Sequence, residues 1–219
     1  VAMSPYTFAS TAEVVRYLGA HPLFVDIEPD GYNIDPKKLE AALDREAPVR
    51  AIVPVHIAGE PCRMKEILEI AERRELAVIS DSAHTLLTAE GVPVGTEGDA
   101  AVFSFYATKP ITTGEGGMLV TDREDVADRV RLMRLHGIDR DVWDRYTSAS
   151  AGWAYAVVEA GYKYHMTALA AAVGRVQLER AAELHRRRRE IAAHYREALG
   201  ELPYLSLPAD HPLHCYHLF

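Results

Sequence analysis

The stretch from Gly98 to Lys109 runs through apolar and small residues and ends on a lysine. In a partly desolvated setting a lysine has a lowered pKa. Its neutral amine then attacks an aldehyde, and afterwards serves as general base and acid in moving a proton. Pro110, the next residue, is equally compatible with a surface lysine in a turn. The following Thr112 to Gly117 predicts a flexible loop whose small residues let backbone approach a ligand. Upstream, Asp81 stands just after the apolar run Leu76 to Ser80. Open parallel sheets bind ligands at the carboxyl ends of their strands. A carboxylate there can hold a protonated pyridine nitrogen, which keeps such a ring an electron sink; the plainer alternative is a helix cap or loop carboxylate. His84, three residues further on, falls near the same strand end, as a ligand contact or as a satisfied structural histidine.

The elements that would position these residues follow from hydrophobic pattern. Pro22 to Ile27, Ala51 to His56 and Leu76 to Ser80 read as short strands, each a continuous apolar run. Helices are predicted from about Asp35 to Leu43, with Pro36 in its first turn, and from Met64 to Arg74, where Met64, Ile67, Leu68 and Ala71 recur at helical spacing. Continuous apolar strands alternating with helices predict an α/β domain with a largely parallel sheet. Ala100 to Phe105 and Met118 to Thr121 add two strands, one of them antiparallel to the rest. Glu124 to Leu135 reads as a helix, Asp139 to Gly161 as irregular, and Thr167 to Leu199 as one long helix leaving the large domain. Pro203 and Pro208 mark the loop after it, and His214 to Phe219 reads as the opening of a strand.

Composition narrows the class. The chain has 219 residues, 48% of them apolar, and a formal charge of −8. That is enough for one substantial core, and the mixed charge gives no electrostatic footprint for nucleic acid or an acidic membrane; Arg186 to Arg189 solvates a helix face. Cys62 and Cys215 form no metal-binding or redox spacing, which fits a reducing compartment. No apolar stretch is long enough to span a bilayer. These features predict a cytoplasmic protein without a metal. The abrupt start at Val1 and end at Phe219 read as a piece of a longer polypeptide.

Several segments together carry a resemblance: Ser4-Pro5-Tyr6-Thr7-Phe8, Pro54-Val55-His56-Ile57-Ala58-Gly59, Asp81-Ser82-Ala83-His84, Phe103 to Lys109 with Gly114-Glu115-Gly116-Gly117, and Gly161 to Thr167. In order and spacing they resemble the DegT/StrS family of nucleotide-sugar aminotransferases, and within it the enzymes that aminate a UDP-4-keto-pentose. The resemblance covers essentially the whole chain. It implies a fold-type I large domain that binds pyridoxal 5'-phosphate (PLP): residues 1–166 with a mostly parallel sheet flanked by helices, a connecting helix over 167–200, and the beginning of a small C-terminal α+β domain over 201–219. It further implies that Lys109 holds PLP as a Schiff base, Asp81 pairs with the pyridine nitrogen, and His84 lies near the 3-oxygen. Phe8 would stack on the ring and Ser104 would meet the phosphate. Lys163 would reach a second subunit's site in a homodimer.

The implied reaction moves an amino group from an amino acid, glutamate, to a nucleotide-linked keto-sugar. Two other outcomes fit the same fold: a sugar dehydratase, whose relatives carry histidine in place of the Schiff-base lysine, and a catalytically idle relative kept for binding or regulation. Lys109 speaks against the first. The chain also departs from the family pattern. Ala168 replaces an acidic residue after Met166-Thr167, Pro110 follows the lysine, and the usual glycine with Ser/Thr at a phosphate-binding helix start is not found among these residues.

Overall fold

The computed structural model describes residues 1–45, 48–86, 90–139 and 155–219. Among them the order is β1 (Ala2–Met3), α1 (Ala9–Tyr17), β2 (Leu23–Phe24), α2 (Pro36–Arg45), β3 (Ala51–Val53), α3 (Met64–Arg73), β4 (Ala77–Asp81), β5 (Ala100–Ser104), β6 (Gly117–Val120), α4 (Glu124–Met133), α5 (Ala168–Glu179) and α6 (Ala181–Leu199). The strands form one sheet in the order β2-β1-β3-β4-β5-β6. All pairings are parallel except β5 with β6. The predicted α/β architecture and its one antiparallel strand are therefore present.

Local chemistry explains the element boundaries. Asp35 caps α2, its Oδ1 accepting from the Lys37 amide at 2.8 Å, and Pro36 follows at a first-turn position whose N–H would have no helical partner. Pro54 cannot donate to a neighbouring strand, so β3 stops at Val53. The chain stays alongside β4 all the same, because the Pro54 carbonyl accepts from the Asp81 amide at 2.8 Å.

The register sorts side chains onto two faces. Ala2, Ile52 and Val78 lie in register on one face and pack with α2 and α3 through Leu39, Leu43, Ile67 and Ile70. Further along the same face, Ala101 and Phe103 pack with Phe105, Ile111 and Ala181 of α6. Successive residues alternate between faces, so Asp81 and Ser104 point to the opposite one, where α1 lies. The functional address is thus one sheet face at the carboxyl ends of β4 and β5.

Several expectations need correction. The first predicted strand shrinks to Leu23–Phe24, with Ile27 in an isolated antiparallel bridge to Ile34. Helix α1, not assigned from sequence, is short and has only Thr11 and Val15 buried, which left little apolar periodicity to read. The long helix over 167–199 is two helices meeting at Arg180; the break lets α6 bury Ala181, His185 and Ala192, while α5 buries nothing among the described residues. The Thr112–Gly117 loop is internally tied: Thr112 Oγ1 donates to the Phe105 carbonyl and accepts from the Gly114 amide, and Thr113 Oγ1 donates to the Glu115 carbonyl. His214 to Phe219 forms no strand. The irregular reading of 139–161 falls largely outside the described residues.

Ile67 is fully buried between α3 and the sheet. The variant Ile67→Ala is expected to cost about 3 kcal/mol of unfolding free energy through lost transfer and a residual cavity, measured as a lowered denaturant midpoint at unchanged slope.

Candidate active site

Asp81 is the last residue of β4 and is held from both sides of the sheet. Its amide donates to Pro54 and its carbonyl accepts from the His56 amide at 3.2 Å, while the next amide, of Ser82, donates to Val102 of β5 at 2.9 Å. Its carboxylate is fixed as well. Oδ2 accepts from Thr11 Oγ1 at 2.8 Å and Oδ1 from the Ala83 amide at 3.2 Å. Asp81 therefore makes a local turn contact, as the plainer reading expected, and also a contact with a helix seventy residues away in sequence.

His84 lies on the turn after β4. Its Nδ1 accepts from the Ala58 amide at 3.2 Å, and its ring is tilted against His217, centroids 4.4 Å apart. Burial, reinforced by the positive charge of Lys109 and opposed by Asp81, pushes its pKa down to about 4. The imidazole is thus neutral at pH 7 with its proton on Nε2, a hydrogen-bond donor free of the backbone.

Lys109 sits in the turn after β5, its amide donating to the Tyr106 carbonyl at 3.0 Å. Pro110 does make a turn here, yet the lysine is half-buried rather than a surface residue. Burial lowers its pKa and Asp81 opposes that shift. Asp81 acts electrostatically on both Lys109 and His84, and Lys109 acts on His84, so the three lie close together. Arg188 of α6 anchors the turn by donating to the Pro110 carbonyl at 3.0 Å.

Ser104 ends β5 half-buried, its Oγ accepting from the Tyr106 amide at 3.3 Å. Phe8 precedes α1 and is 77% exposed. It stands one helical turn from Thr11, whose amide donates to the Phe8 carbonyl at 3.2 Å, and hence beside the Asp81 anchor. Lys163 is exposed, 3.3 Å from His165 Nε2, and no described contact joins it to Lys109, Asp81 or His84.

Two participants escaped the sequence reading. Thr11 carried one weak signal, its place three residues after Phe8, on the same side of a helix. His217 carried none, because its position depends on tertiary docking. Ala58, in the left-handed region at φ 58°, is the hub of that docking. Its amide holds His84, and its carbonyl accepts from the amides of His217 and Leu218 at 2.8 and 3.2 Å. Burial, with His84, Lys109 and Arg188 nearby, drives the His217 pKa to about 3.

A sequence model of the DegT/DnrJ/EryC1/StrS aminotransferase family matches residues 1–219. The chain belongs to this family. It is 45% identical to the spore coat polysaccharide biosynthesis protein SpsC of Bacillus subtilis strain 168, over all of this chain and 56% of SpsC. Among solved structures it is similar to Helicobacter pylori PseC, an aminotransferase involved in the biosynthesis of pseudoaminic acid, at 29% identity and a TM-score of 0.82, over 97% of this chain and 56% of that one. It is also similar to DesI, solved in the presence of its TDP-sugar product, at 35% identity and a TM-score of 0.80, over 99% of this chain and 52% of that one. The fold is that of the fold-type I aminotransferases, and the chain spans about half the length of the relatives it matches.

This geometry generates two predictions. A Cβ on Gly59, at φ +95°, would meet Cys215 Cβ and the His84 carbonyl, each at 2.9 Å; Gly59→Ala is expected to undock residues 214–218, seen as lost hydrogen-exchange protection of the Cys215 and His217 amides. Stability also depends on pH. His56 is fully buried beside Asp81, and burial pushes its pKa down to about 4. The unfolded chain therefore takes up the proton first, so stability is complete above about pH 6.5 and falls as pH drops toward 4. His56 alone is expected to cost about 2 kcal/mol at pH 5, read from urea unfolding at pH 7 and pH 5.

Proposed function

We propose that this protein is a PLP-dependent aminotransferase that moves an amino group from an amino acid, glutamate, to the keto group of a nucleotide-linked sugar. The observation that carries the reading is the convergence of Asp81, His84 and Lys109 at the carboxyl ends of adjacent strands. The donor set suits the cofactor: an anchored carboxylate for a pyridinium nitrogen, an exposed aromatic ring, a hydroxyl, and a half-buried lysine of lowered pKa for an aldehyde. Family membership and the TDP-sugar product of DesI support the substrate class.

Bound PLP supplies an electron sink for the carbanion formed at the carbon that loses its proton. Lys109 would hold the cofactor covalently through its Nζ, and burial, by lowering its pKa, favours the neutral amine needed to take up a proton from the substrate carbon and return it. Asp81 orients the ring and stabilises positive charge on its nitrogen. His84, neutral and carrying its proton on Nε2, would donate from that atom to the oxygen beside the aldehyde. Phe8 offers its exposed face to the ring, and Ser104 its hydroxyl to the phosphate. Residues 1–166 form the large cofactor-binding domain, 167–200 the helical connection and 201–219 the beginning of the small domain. In a homodimer, Lys163 of a second copy reaches the site. No described helix is long and apolar enough to cross a membrane, in keeping with a cytoplasmic enzyme.

The test is a visible absorbance spectrum of the full-length protein with added PLP, before and after borohydride reduction, beside Lys109→Ala. A reducible band, a mass increment on the Lys109 peptide, and spectral conversion by glutamate are expected. No band, or one indifferent to Lys109→Ala, overturns the reading.

A further inference from the structure

Thr11 is buried on the first turn of α1, and its single hydroxyl proton is committed to Asp81, since a carboxylate oxygen only accepts. Thr11 Oγ1 also lies 2.9 Å from Thr7 Oγ1. With its own proton given to Asp81, Thr11 accepts in that second bond and Thr7 donates. The direction of the chain is thereby fixed: Thr7 to Thr11 to Asp81. Bonds arranged in such a series polarise one another in the same sense.

The other Asp81 oxygen is taken by the Ala83 amide, within the same turn. That local bond leaves rotation of the carboxylate about χ2 to be settled by Oδ2, and Thr11 is the described side chain that settles it. The same first turn carries Phe8, so one helix end presents the exposed ring and aims the carboxylate. Resting on the cofactor reading, we propose that Thr11, backed by Thr7, is a positioning residue that orients the Asp81 carboxylate toward the pyridine nitrogen of PLP.

The experiment measures non-covalent affinity in full-length Lys109→Ala protein, where no covalent link masks the ring contact. PLP and the analogue with carbon in place of the ring nitrogen are each titrated by fluorescence quenching, and thermal midpoints are recorded alongside. Adding Thr11→Val, which keeps the shape and removes the hydroxyl, is expected to weaken PLP binding about tenfold and leave the analogue nearly unchanged. Thr11→Ser is expected to restore PLP affinity, and Thr7→Val to give a smaller loss in the same direction. Equal affinity of the Thr11→Val protein for PLP, or an equal loss for PLP and the analogue, overturns the positioning role. A Lys109→Ala parent that binds neither ligand overturns the cofactor reading itself, and the assignment falls with it.

Discussion

The parallel registration of β3, β4 and β5 is the constraint on which the site depends. Strands aligned in one direction bring their carboxyl ends to one rim, where the chain must turn and where backbone groups no longer needed by the sheet become available. Asp81 stands on that rim with its peptide bonded to the end of β3 and the following amide bonded to β5. Its side chain has little freedom left, and the Thr11 and Ala83 bonds remove the rest. A slip of one residue in this register would turn Asp81 toward α3 and put Ser80 in its place.

Partial burial does the remaining chemical work. Lys109, His84 and His217 are each partly buried, which penalises charge; Lys109 further lowers the pKa of both histidines, and His84 that of His217. Desolvation is the largest cause for all three, including Lys109. The negative charge of Asp81 opposes the shift at both Lys109 and His84. The environment therefore lowers the pKa of all three bases next to a fixed carboxylate.

Residues 214–218 are tied to Ala58 and Gly59 and to α6 at once. Cys215 donates through its amide to Gly59 at 2.8 Å, and His185 of α6 meets the His214 carbonyl through Nε2 at 2.9 Å. Helix α6 thus connects the Lys109 turn, through Arg188, with the segment that carries His217. The His84 ring and residues 217–218 share one peptide group, that of Ala58.

Local sequence specified the α/β class, the antiparallel partner of β5 and the placement of Asp81, His84 and Lys109 at strand ends. Each of these rests on neighbours within a few residues: apolar runs and a polar residue closing a strand. It did not determine the break at Arg180, the missing strand at 214–219, or the parts taken by Thr11 and His217. Helical propensity continues through Arg180, so only packing of Ala181 and Leu184 against Phe103 and Phe105 could show that the axis changes there. Thr11 meets Asp81 across seventy positions and His217 meets His84 across more than a hundred. Hydrogen bonds and ring contacts of that range carry no local periodicity, and the fold alone decides them because it alone brings α1, the β4 turn and the last residues of the chain to one rim.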